Sequence, residues 1–243
     1  MAKLFSINVD PKTAKSNLSG LGYYTAIHYG APHKLSGFNS CASSSHDCIT
    51  ACLHTSGNPV YQNGKNKARI ERTLLWFQDR PEFLRQLTKE ITAFCRMCDL
   101  IELKPAIRLN GTTDLYFEKY APELFSQFPS VQFYDYTKHV KRMRPSWALP
   151  SNYHLTFSRS EENELDCLEL LRVNPRARVA VVFGVKPKQS LPLYWQGYRV
   201  GDCDQHDLRF LDTDSIVGLR AKGKARSIGG GFVVPVMEGS YVC

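Results

Sequence analysis

No run of eighteen apolar residues occurs in the 243-residue chain, which excludes a helix able to cross a bilayer on its own. The opening stretch MAKLFSINVDPKTAKS also lacks the apolar core of a secretory leader. Together these absences predict a cytoplasmic protein with no membrane partner. Internal repeats and long low-complexity tracts are missing too. One domain over 1–243 is expected, with a polar lead at 1–20 and a C-terminal extension at 201–243 packed on the rest. Acidic residues run short, 23 against 31 Lys+Arg, for a net charge of +8. The excess favours phosphate-rich partners, nucleic acid or nucleotide. It is spread through KNKARIER (65–72), KHVKRMR (138–144), PRAR (175–178) and LRAKGKAR (219–226), so only the fold can assemble a basic face.

Cysteine is not scarce. Three of the eight fall in CASSSHDCITAC, at Cys41, Cys48 and Cys52. Thiols in a reducing compartment seldom form structural disulfides, so clustered ones point to metal, redox or catalytic chemistry. The spacing is C-x6-C-x3-C, with His46 and His54 nearby. Three thiolates and one histidine would satisfy a tetrahedral zinc, although its knuckles usually hold two to four intervening residues. Three thiolates also suit iron: a [3Fe-4S] cluster, or a [4Fe-4S] cubane whose fourth iron takes a non-protein ligand. A third reading needs no metal, because buried free cysteine behaves as a small hydrophobe. That is the first reading for Cys95 and Cys98, a CxxC that continues the apolar face of Leu84, Leu87 and Ile91, with a fourth metal ligand as the alternative. Cys167, Cys203 and Cys243 receive no role.

The hydrophobic period then sets the architecture. YYTAIHY (23–29) reads as a strand and leads into the cysteine stretch. Asn66–Trp76 and Pro81–Met97 read as helices. PAIRLN (105–110), VQFYDY (131–136), YHLTFS (153–158) and RVAVVF (178–183) read as strands, with helices at 117–127 and 162–173 and one more strand at 215–219. This alternation predicts an α/β domain with a mostly parallel sheet curled as a partial (β/α) barrel and a less regular C-terminal extension. Functional groups in such folds gather past the carboxyl ends of the strands. Besides the cysteines, those positions hold Asn110, Thr113 and Asp114, then Asp135, Thr137 and Lys138, then Ser158 and Arg159. Simpler readings exist for several: Thr112 or Asp114 as a helix cap, Asp135 with Lys138 as an ion pair, and the run Lys138–Arg144 as a solvated helical face. The triple glycine 229–231 reads as a flexible connection.

The motifs YYTAIHYGAPHKLSGFNSC, C-x6-C-x3-C-L-x-T-x-G, RLNGTTDL, FYDYTKHVKR, NYHLTFSRSE and GDCDQHDLRFLD…IVGLRAKGKAR resemble a family of tailed-bacteriophage proteins designated by gene-product number eighty-eight. The resemblance implies a phage protein acting in the host cytoplasm. The order of elements also resembles the radical S-adenosylmethionine (SAM) fold, a partial (β/α)6 barrel with a three-cysteine loop after its first strand. By that resemblance Cys41, Cys48 and Cys52 would bind the cluster, while Asn110, Thr113, Asp135, Lys138 and Ser158 would contact SAM or substrate. The chain departs from that fold in its spacing, where C-x3-C-x2-C is usual, and in having no GGE-like segment.

Overall fold

The computed structural model describes residues 3–8, 11–55, 62–229 and 231–236. Cys243, Gly230 and Gly57 of the cysteine motif lie outside the described residues. Ten strands form one sheet: β1 (Phe5–Ser6), β2 (Tyr23–His28), β3 (Lys104–Arg108), β4 (Gln132–Thr137), β5 (Tyr153–Ser158), β6 (Val179–Phe183), β7 (Tyr194–Trp195), β8 (Tyr198–Asp202), β9 (Ile216–Arg220) and β10 (Val233–Val234). The order is β1-β2-β3-β4-β5-β6-β9-β8-β7, with β10 added beside β6. From β2 through β6 to β9 and β8 every pairing is parallel; β1 and β7 pair antiparallel. The protein is thus an α/β domain built on a mostly parallel sheet. Each parallel return needs a crossover, and most crossovers here carry helices: α3 (Gln62–Gln78) and α4 (Arg80–Leu100) before β3, α5 (Phe117–Tyr120) and α6 (Pro122–Gln127) before β4, and α7 (Glu164–Val173) before β6.

The expected 117–127 helix is two short helices, because Pro122 cannot donate an N–H to a continuing ladder. The polar lead contributes β1 and α1 (Pro11–Asn17), and α1 packs on β2.

Strand alternation divides the sheet into two chemically different faces. One carries Ala26, Ile107, Phe133, Tyr153 and Leu155, and packs on Trp76, Phe83, Leu87, Ile91, Phe94 and Cys98 of α3 and α4. It continues through Phe157, Val179, Val181 and Phe183 onto Cys167, Leu170 and Leu171 of α7. Cys95 and Cys98 therefore belong to a packed core, as their helical spacing suggested.

The opposite face carries Tyr23, Ala106, Tyr134, Tyr136, Ala180 and Val217, and is covered by the segment 203–212. Sequence had left this segment without a place. Leu208 and Phe210 pack on Tyr23, Ala106 and Tyr134, and Cys203 on Ala180 and Val217. Asp207 meets Arg108 at 2.8 Å, both nearly inaccessible, and Arg108 stacks over the Tyr136 ring at 4.6 Å. Arg209 is fully buried beside Asp212 at 3.0 Å. A charged-looking stretch is internal because each buried guanidinium has a carboxylate, the condition under which such burial is tolerated.

Candidate metal centre

The cysteine stretch leaves the carboxyl end of β2 and is stitched to the loop after β3. Gly111 N–H donates to the His28 carbonyl at 2.9 Å, the Thr112 hydroxyl to the Gly30 carbonyl at 2.7 Å, and Asp114 N–H to the Ser40 carbonyl at 2.9 Å. Ser40 Oγ donates to the Ala31 carbonyl. These bonds hold Cys41 half-buried at the rim. The His33 N–H donates to its sulfur at 3.4 Å, the Ser40 hydroxyl lies 3.7 Å from it, and the Thr112 carbonyl also lies 3.7 Å away.

Cys48 sits in α2 (His46–Thr50), capped by Ser45, whose oxygen accepts from Cys48 N–H at 3.3 Å. A carboxylate from the far side of the rim completes this cap. Glu161, just past β5, accepts from the Ser45 hydroxyl at 2.8 Å and from Asp47 N–H at 2.9 Å. Cys52 follows α2, and the backbone N–H of His54 faces its sulfur. Cys52 lies within electrostatic reach of both Cys41 and Cys48. Burial pushes the Cys41 thiol up to about 11 and raises Cys52; the nearby charges of Arg69 and Lys138 pull Cys52 back down. Among the described residues, no group of three or more His, Cys, Asp or Glu side chains is placed to hold a metal ion.

The other rim residues separate into two groups. Lys138 and Ser158 sit side by side at the ends of β4 and β5, with Nζ donating to Oγ at 2.9 Å, the Phe232 ring 5.5 Å from the ammonium, and Cys52 within its field. Asn110, Thr113 and Asp135 are buried below and bonded to one another. Asp135 accepts from Asn110 N–H at 2.7 Å, Asn110 Nδ2 at 3.1 Å and the Tyr153 hydroxyl at 2.8 Å; Asn110 Oδ1 accepts from Thr113 Oγ1 and Leu115 N–H, each at 2.8 Å. Burial pushes Asp135 up to about 7 against the pull of Arg108, Tyr153 and Asn110.

Three of the simpler readings fail on geometry. Asp135 and Lys138 do not pair, because alternation sends them to opposite faces of β4, Asp135 to Arg108, Tyr153 and Asn110 and Lys138 to Ser158. Neither Thr112 nor Asp114 caps a helix. Asp114 instead accepts from the Thr137 hydroxyl, Lys138 N–H and Arg142, the last at 2.6 Å. The run 138–144 is not a uniformly solvated face either. Arg142 is fully buried between Asp114 and Glu118, with Glu118 oxygens at 2.7 and 2.9 Å.

Sequence reasoning missed Glu161 and Arg69. A carboxylate latching a helix from another strand end leaves no local pattern. Arg69 lay inside a helical run, and only the fold brings it to the His54 carbonyl, 3.1 Å away.

No helix among the described residues is long and apolar enough to cross a membrane. No curated protein and no solved structure matches the chain. The sequence model described as gene product 88 matches residues 3–234, nearly the whole length and every element that builds this rim, and the chain therefore belongs to the gene product 88 family.

Proposed function

We propose that Cys41, Cys48 and Cys52 hold an iron–sulfur cluster at the carboxyl-edge rim of the sheet. The observation that carries this reading is the placement of three half-buried thiols on one loop at the rim, two of them faced by backbone N–H groups. Such donors stabilise thiolate bound to metal and tune its potential. Iron rather than zinc is proposed because the loop offers three thiolates in a C-x6-C-x3-C spacing looser than a zinc knuckle. Thiolates sharing one zinc at 2.3 Å stand about 3.8 Å apart, whereas cluster thiolates each take a different iron and stand wider. Burial keeps the metal-free Cys41 protonated, so loading releases protons and strengthens as pH rises.

A [4Fe-4S] cubane on three thiolates leaves one iron without a protein ligand, and SAM is the cofactor such an iron would accept, supplying one-electron cleavage chemistry. Lys138 and Ser158 are the rim groups placed to orient it. Asn110, Thr113 and Asp135 then hold the β3 and β4 loops rather than the cofactor, because their polar atoms are already bonded. That same saturation favours a second reading, in which a [4Fe-4S] or [3Fe-4S] cluster, or zinc, serves a binding protein without catalysis. In either reading the protein works in the reducing cytoplasm of the infected host.

Anaerobic purification followed by iron and acid-labile sulfide analysis tests the cluster. Cys41→Ala, Cys48→Ala and Cys52→Ala should each abolish it, while Cys98→Ala, in the core, leaves it loaded. Retention of iron by all three loop variants would refute the assignment. Release of 5′-deoxyadenosine under a strong reductant then separates enzyme from binding protein.

A further inference from the structure

The buried guanidinium groups among the described residues are spent on carboxylates. Arg108, Arg142, Arg159, Arg209 and Arg220 each pair with Asp or Glu, and Lys222 pairs with Asp204. Around the thiol loop the pattern reverses. Arg69 bonds the His54 carbonyl and Asn66, Lys138 bonds the Ser158 hydroxyl, and Arg226 bonds the Ala221 carbonyl. No acidic side chain among the described residues pairs with any of these three or with Lys224.

The four come from three elements that meet on the loop. Arg69 reaches it from α3, and Lys138 from the end of β4. Lys224 and Arg226 belong to the turn Gly223–Ser227, which packs on the turn Leu53–Thr55 just past Cys52, and Ala225 of that turn clusters with Ala51. The fields agree with this arrangement: Cys52 feels Arg69 and Lys138, and His54 feels Arg69 and Lys224. Lys224 and Arg226 are exposed and the other two half-exposed.

We infer that Arg69, Lys138, Lys224 and Arg226 form a binding site for a phosphate-bearing ligand presented to the three-thiol loop. Converging cations without counter-charges raise the local potential, which draws in anions and is relieved by binding them. Arginine supplies planar, forked recognition of phosphate, and lysine a compact charge. The site rests on the proposed function only in that it names what the thiol loop faces. It also absorbs LRAKGKAR, the basic motif left without a role. Lys141 and Arg144 lie on the turn beyond β4 and are not part of it.

The test is binding by the full-length chain of a labelled single-stranded oligonucleotide, and separately of ATP, between about 50 and 200 mM salt. For at least one probe, Lys138→Gln/Lys224→Gln/Arg226→Gln should weaken affinity about tenfold or more. With the oligonucleotide, the log–log salt slope should flatten by about 0.7 for each phosphate that the variant no longer neutralises. Lys141→Gln/Arg144→Gln should stay within about twofold. ATP binding with this profile identifies a nucleotide ligand, and oligonucleotide binding alone identifies a polynucleotide. Failure of both probes to bind at about 50 mM salt, or equal loss in the control pair, overturns the site. Iron content measured on the same preparations keeps the two proposals apart: loaded iron without anion binding refutes this site alone, and anion binding by iron-free protein refutes the cluster alone.

Discussion

Two residues show how little freedom the rim has. A Cβ added at Gly111 would lie 2.5 Å from Tyr29 Cδ1 and 2.7 Å from Ile27 Cγ2, so the β3 loop can approach β2 only without a side chain there. Gly111→Ala should lower unfolding free energy by about 1–3 kcal/mol, read by urea denaturation, and should reduce iron loading because the same loop carries the bonds that place Cys41. His28 is fully buried, its Nδ1 2.8 Å from the Leu109 carbonyl, and burial lowers it to about 4 from 6.5. The unfolded chain binds this proton below pH 6.5 while the folded protein refuses it until about pH 4. Stability must therefore fall with acidification across that window, by about 2 kcal/mol between pH 6.5 and 5 from this group. Asp135, raised by burial, acts in the opposite direction. Comparing urea unfolding of wild type and His28→Gln at pH 5 and 7 isolates the histidine: the variant should lose less stability on acidification, and an equal loss would remove His28 from the account.

At the scale of elements, the latch between Glu161 and α2 is the most exposed to test. A five-residue helix cannot sustain itself, and here its amino end is held by Ser45 and Glu161. Glu161→Ala should cost about 1 kcal/mol of stability and raise the alkylation rate of Cys48 severalfold, with folding otherwise intact by circular dichroism. The covering segment is a second case. Asp207→Asn strands Arg108 in the interior and should cost about 3–5 kcal/mol by chemical denaturation. These two elements also mark what sequence could show. The strands β2 to β6 and β9 were legible because short β-branched and aromatic runs alternate with helical periods. The cysteine loop was legible because three of the eight cysteines fall within twelve residues. The hairpin β7–β8 was missed: its two-residue turn is Gln196–Gly197, both at positive φ, and glutamine is not the usual first residue of such a turn. The segment 203–212 was unplaceable because its charges look solvent-bound until their partners on β3 and within the segment itself are known. Asn110, Thr113 and Asp135 were found as strand-end polar residues, but position alone could not show that their atoms are bonded below the surface.

For the whole molecule, the net charge of +8 takes on meaning through its distribution. The buried arginines are neutralised by carboxylates, and Arg69, Lys138, Lys224 and Arg226, which have no acidic partner among the described residues, lie beside the three-thiol loop. One face of the sheet is a hydrophobic core under helices; the other packs against the chain's own segment 203–212. The central claim is that Cys41, Cys48 and Cys52 jointly ligate iron. The most direct measurement is the iron and acid-labile sulfide content per chain of anaerobically purified protein. The account predicts three or four irons and four sulfides per chain, with a thiolate-to-iron absorption band, as three-cysteine ligation of a [3Fe-4S] or [4Fe-4S] cluster requires. Colourless protein carrying one zinc per chain, or no metal at all, would contradict it.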